Sequence, residues 1–71
     1  MTATFEARRI NVDGKVALEL IVRNSLSNPD LHSAVEALGY KPMTDIRNAR
    51  SIICKTQAEA LAARDPIAKF F

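Results

Sequence analysis

Residues 12–23 read VDGKVALELIVR, and how they pair decides the fold. Asp13-Gly14 fills the two central positions of a type I′ turn, where both residues take positive φ. Beyond the turn, Val16, Leu18, Leu20 and Val22 alternate with Ala17, Glu19, Ile21 and Arg23. That is the period of two of a half-buried strand. Before the turn runs Thr4 to Asn11. A two-residue loop sets Arg8 opposite Glu19, an opposite-charge cross-strand pair. It also sets Phe5 opposite Val22 and Ala7 opposite Leu20 on an apolar face. Arg9 falls on that same face, opposite Leu18, and does not fit: either it snorkels to the rim or the register is another. The rival for residues 15–26 is a helix with Lys15, Glu19 and Arg23 in an i, i+4 stripe. The turn and the alternation together favour the strand.

Downstream the period changes. Asn28-Pro29-Asp30 is a helix start: an N-cap, a proline at the first helical position, and an acid at the positive end of the dipole. Leu31, Ala34, Val35 and Leu38 form its apolar face, and Gly39 supplies a left-handed end. After Lys41-Pro42, Thr44 reads as a second N-cap with Asp45 behind it. A short helix from Asp45 to about Arg50 would bury Ile46 and Ala49. Residues 51–55 suit a strand. Thr56 to Glu59 form a capping box, so a last helix is expected over 57–64, ended by Pro66. One continuous helix over 45–64 is the alternative.

The chain has 71 residues, room for one domain at most, and a core too small to give more than marginal stability. Hydrophobic residues make up 48% and charged residues 25%, the balance of a globular chain rather than a disordered one. The net charge of +2 is too mild to demand nucleic acid; clustering matters more. Cys54 stands alone, so there is no internal disulfide and no zinc site, and a lone thiol fits a reducing compartment. The first ten residues lack the apolar segment of a signal peptide, and no apolar run reaches membrane-span length. The expectation is a soluble, cytoplasmic protein with no membrane contact.

Catalysis has little to stand on. His32 is the single histidine and lies beside Ser33 and Glu36, on the side of its helix away from Leu31, Val35 and Leu38. A surface histidine near a glutamate explains it better than an acid-base role. Cys54 in IICK reads as a small core residue rather than a nucleophile. No glycine-rich phosphate loop and no paired metal-ligand spacing occurs. The sequence points to no enzyme, no cofactor and no metal.

Basic residues are better grouped. Lys41, Arg47, Arg50 and Lys55 fall within a stretch whose one acid is Asp45. On a helix, Arg47 and Arg50 share a face, while Thr44, Arg47, Asn48 and Ser51 turn outward. Arg, Asn, Ser and Thr reach phosphates and base edges. Helix, turn and a second helix with a basic face make the layout of a helix-turn-helix reader. The plain alternative is a solvated charged face. Residues 37–49, ALGYKPMTDIRNA, resemble the BRO N-terminal domain of viral and phage antirepressor-type proteins. The resemblance rests on Ala37, Leu38, Gly39, Tyr40, Pro42, Asp45, Ile46 and Arg47. It implies a DNA-binding module of a phage or viral regulator.

A second class is a small protein-binding inhibitor or adaptor of a host machine such as RNA polymerase. Phe70 and Phe71 are two aromatic anchors of the kind interfaces use; folding back over the core is their other reading. Exposed sheet edges could pair with a partner strand or with a second copy in a homodimer. The expectation is therefore a small α+β single domain: an N-terminal β-hairpin, short helices forming a helix-turn-helix-like pair, and a third strand. Its expected role is transcription control, through DNA contacts from Lys41, Thr44, Arg47, Asn48, Arg50 and Lys55.

Overall fold

The computed structural model describes residues 3–44 and 47–71. Its elements run β1 (Thr4–Val12), β2 (Lys15–Arg23), α1 (Pro29–Ala37), β3 (Lys41–Pro42), β4 (Ala49–Cys54) and α2 (Gln57–Arg64). Short 3-10 turns cover Ser25–Ser27 and Asp65–Phe70. The four strands form one antiparallel sheet in the order β1-β2-β4-β3.

The hairpin forms as its turn dictates. Asp13 (φ 52) and Gly14 (φ 78) both take positive φ, the requirement of a type I′ turn. Val12 pairs with Lys15, and the register then runs unbroken through Arg8 with Glu19 to Thr4 with Arg23. Arg9 lies opposite Leu18, as the sequence register requires, and its side chain is exposed. The strand reading of residues 15–23 therefore holds over the helical one.

α1 starts where Asn28 accepts from the backbone N–H groups of Asp30 and Leu31, satisfying two donors that a helix start leaves free. It ends at Gly39, whose φ of +90 suits a residue without a Cβ. α2 starts in a full capping box: the Glu59 N–H donates to Thr56 Oγ1, and the Lys55 N–H donates to the Glu59 carboxylate. α2 ends at Arg64, as expected over 57–64, and the chain goes on as the 3-10 segment that contains Pro66. Pro66 sits in the first turn of that segment, where its missing N–H costs nothing.

Both helices and the final 3-10 segment lie on one face of the sheet. Leu20, Val22 and Cys54 from the strands meet Leu31 and Val35 of α1, Tyr40, Ala60 of α2 and Ile67 in one cluster. Phe5, Leu18, Ile52 and Phe70 pack against it, partly buried. Leu31, Val35 and Ile67 are fully buried, and each such side chain contributes roughly 1.5–3 kcal/mol. Ala17, Ile21 and Ala49 are also buried but lie outside this cluster, because alternation points them to the opposite face of the sheet. No helix among the described residues covers that second face, and none is long and apolar enough to cross a membrane.

The second helix of the expected helix-turn-helix pair is absent from the described residues. Asp45 and Ile46, where it was expected to begin, lie outside them. Arg47 and Asn48 form a turn, and Ala49 and Arg50 already belong to β4. Asn48 takes the left-handed conformation (φ 63), which ends any right-handed helical path. The backbone beyond it is taken up by the sheet: β4 pairs with β2 on one side and β3 on the other. The strand expected over 51–55 is thus longer at its start, and the chain order is hairpin, helix, two strands, helix.

Candidate functional site

The basic residues expected to share one helix face are distributed around the β3–β4 connection. Lys41 lies on β3 and is exposed; Thr44 and Arg47 are exposed in the connection itself. The Met43 N–H donates to the Ala49 carbonyl (3.0 Å), and the Asn24 N–H donates to the Asn48 carbonyl (2.9 Å). These bonds continue the β3–β4 and β2–β4 registers and pin both ends of the loop. Arg47 has no carboxylate partner among the described residues. Arg50, on β4, points toward α1, where its Nη2 lies 3.2 Å from Glu36 Oε1. Arg47 and Arg50 therefore do not share a helix face. Lys55 is at the opposite end of β4, one residue before the cap of α2, so the structure does not bring it together with the others.

Glu36 also receives His32, with Nε2 3.0 Å from Oε1. The other ring nitrogen, Nδ1, lies 3.3 Å from Ser25 Oγ. With Nε2 carrying its proton toward Glu36, Nδ1 accepts from the Ser25 hydroxyl, so every partner is satisfied. The order Ser, His, Glu is that of a hydrolytic triad. Ser25 is fully buried, however, and a nucleophile must reach its substrate. The chain of contacts instead ties the Ser25–Ser27 turn to α1 and, through Arg50, to β4. Beside it lies an open cleft of about 300 Å³, lined by Ser25, Leu26, His32, Met43, Arg47 and Arg50 among others.

The uncovered sheet face shows a different arrangement. Two ion pairs cross it: Arg8 with Glu19 at 2.6 Å and Arg23 with Glu6 at 3.4 Å. Ile21 lies between these rungs and is fully buried. Toward the Asp13-Gly14 turn the face becomes apolar. Ile10 lies opposite Ala17, and Ile53, opposite Glu19, is diagonal to Ala17. Ile53 is 51% exposed. Lys15, Lys41 and Lys55 are exposed around this strip. Sequence reading had Lys41 and Lys55 as site residues and missed Ile53. Its signal was present in the alternation of Ile52 and Ile53, two large apolar residues that a strand must send to opposite faces.

Phe70 packs against the core, whereas Phe71 is 48% exposed. The Phe71 ring lies 5.7 Å from that of Phe5 at a tilt of 56°, which ties the last residue to β1. Tyr40 and Cys54 are buried neighbours. The Tyr40 hydroxyl has no hydrogen-bond partner among the described residues. Burial, with a smaller contribution from Cys54, pushes its pKa up to about 12. Burial, then Glu59, raises that of the Cys54 thiol as well, the opposite of what an activated nucleophile needs. Among the described residues no three His, Cys, Asp or Glu side chains converge as metal ligands would.

Fold and surface together define a two-layer α+β chain: an antiparallel sheet with its helices on one face and, among the described residues, no helix on the other. No protein-family model, curated protein or solved structure matches the chain.

Proposed function

We propose that the chain is a small non-catalytic regulatory protein that works by binding another protein through the uncovered face of its sheet. One observation carries this reading. Ile53 is half exposed on that face, on the part of β4 that lies beyond its pairing with β3; it is diagonal to Ala17, which pairs with Ile10, and Lys15, Lys41 and Lys55 are exposed around this group. An apolar strip with a cationic rim complements an apolar surface rimmed by carboxylates. A buried Ser25 hydroxyl and a raised Cys54 thiol support the non-catalytic part.

The test is a binding experiment with two variants. Ile53→Lys alters the strip at an exposed position, and Arg47→Ala alters the loop. A protein retained by the wild type from the cells that make it is purified, and its affinity is measured by calorimetry. Ile53→Lys should weaken binding at least about tenfold, a change of roughly 1.4 kcal/mol, while Arg47→Ala should leave it unchanged. Equal binding by Ile53→Lys and wild type would reject the face.

A second reading, DNA binding in transcription control, is favoured by the exposed Arg47, which has no ion-pair partner among the described residues, with Thr44 and Asn48 in the same connection and Lys41 on the strand before it. It rests on a loop rather than on a recognition helix. There the removal of Lys41 and Arg47 would weaken DNA binding and lower its salt dependence, and Ile53→Lys would not.

A further inference from the structure

The two edges of the sheet are unlike each other. β3 is two residues long. Its Lys41 faces β4 in a hydrogen-bonded pair, as the Met43-to-Ala49 bond of the same ladder shows. Pro42 therefore sits where an N–H would point out of the sheet, and it has none. A short strand with a lysine and a proline is a protected edge. The other edge, β1, is nine residues long, straight in register and free of proline. No strand pairs with its outer side among the described residues.

Which β1 groups point outward follows from the turn. Val12 and Lys15 close a two-residue loop, so they form a hydrogen-bonded pair, and such pairs recur at every second residue. Thr4, Glu6, Arg8 and Ile10 thus bond to β2. Phe5, Ala7, Arg9 and Asn11 present free N–H and C=O groups at the edge.

We infer that this edge pairs antiparallel with β1 of a second copy of the chain, about a two-fold axis at Ala7. Outward groups must face outward groups, which allows only a few registers, and charge selects among them. With Glu6 on the axis, two carboxylates oppose each other. With Arg8 on the axis, two guanidinium groups do. With Ala7 on the axis, Glu6 of each copy faces Arg8 of the other, twice, on the uncovered face. The intrachain pairs then join across the seam into a continuous row: Glu19, Arg8, Glu6 of the second copy, Arg23 of the second copy. Like charges directly opposite are unfavourable and opposite charges favourable, so the strand's own charges specify one register against its neighbours.

The same register accounts for Arg9. It lies on the helix-covered face, exposed and without a carboxylate partner among the described residues. Pairing about Ala7 puts it opposite Phe5 of the second copy, whose ring already meets Phe71. A guanidinium over an aromatic face is favourable. Ala7, the smallest side chain of the edge, falls where the two strands meet themselves. This pairing leaves both uncovered faces side by side and does not depend on what they bind.

The experiment is sedimentation equilibrium over a wide concentration range, with circular dichroism to confirm folding. Wild type should dimerise. Ala7→Pro removes an outward N–H without breaking the β1–β2 ladder, and it should be monomeric. Glu6→Arg alone and Arg8→Glu alone each set like charges across the seam, and each should weaken self-association by roughly tenfold or more. Mixed together, these two variants should form a heterodimer, because every cross-seam pair is then opposite in charge. A wild type that stays monomeric at every concentration would overturn the inference. So would a dimer that survives Ala7→Pro, or single-charge variants that self-associate as wild type does.

Discussion

Tyr40 concentrates the fold's tension in one atom. Its ring is 4% exposed and belongs to the core, yet its hydroxyl is buried without a partner among the described residues. Leaving a hydroxyl unpaired costs about 1–3 kcal/mol, whereas the ring's burial is favourable. Tyr40→Phe keeps the ring and removes the unpaired group, so it should raise stability by roughly 1 kcal/mol in urea denaturation. The hydroxyl also gives a pH dependence. The folded state holds the Tyr40 proton up to about pH 12, while the unfolded chain releases it near its ordinary value of 10. Deprotonation therefore favours the unfolded state. Stability should be unaffected by this group below pH 10 and should fall as pH rises from there toward 12. In Tyr40→Phe that part of the alkaline loss should disappear. Tyr40 lies outside the periodic apolar segments, between Gly39 and Lys41-Pro42, so its burial is not readable from the pattern of the sequence.

At the scale of elements, local chemistry was readable and nonlocal pairing was not. Asp13-Gly14 fixes the hairpin register, so Arg8 with Glu19 and Phe5 with Val22 followed from counting alone. Asn28-Pro29 and the Thr56–Glu59 box fix both helix starts within a few residues of sequence. The β3–β4 region has no such rule. Thr44 followed by Asp45 looks like a helix start, but residues 49–54 gain a partner strand on each side, β2 and β3, and that outcome depends on chain far away. The one local warning was Asn48, a residue that tolerates the left-handed conformation it adopts here. Asn48→Val should therefore destabilise the fold by about 1–2 kcal/mol, since a β-branched residue is strained at positive φ. Asn48→Gly should leave stability close to wild type. If the two variants melt alike, the turn does not depend on that conformation. Of the site, Lys41 and Arg47 were legible as exposed cations, but Arg50 was not legible as the ion-pair partner of Glu36.

Across the whole molecule, the first strand and the last residues meet on one side of the sheet. β1 contributes Phe5, the final 3-10 segment contributes Ile67 and Phe70 to the core, and Phe71 closes on the Phe5 ring. Phe70 and Phe71 thus do different things, although they are adjacent and chemically identical. Phe70 is partly buried against a cluster that α1, α2 and the strands share. Phe71 is half exposed, and its ring touches only the edge strand's aromatic among the ring contacts of the described residues. Removing Phe71 alone should cost about 0.5–1.5 kcal/mol, the worth of an aromatic pair, and should leave the rest of the core in place. Removing both should cost more, roughly 3 kcal/mol or above, because a core aromatic is lost as well. Amide hydrogen exchange separates the two. The Phe71 deletion should speed exchange chiefly at the Phe5 end of β1. The double deletion should speed it across β2 and α1 too, whose apolar side chains share the cluster with Phe70. Equal exchange patterns in the two variants would mean that the tail acts as one anchor, and that Phe70 is not part of the core.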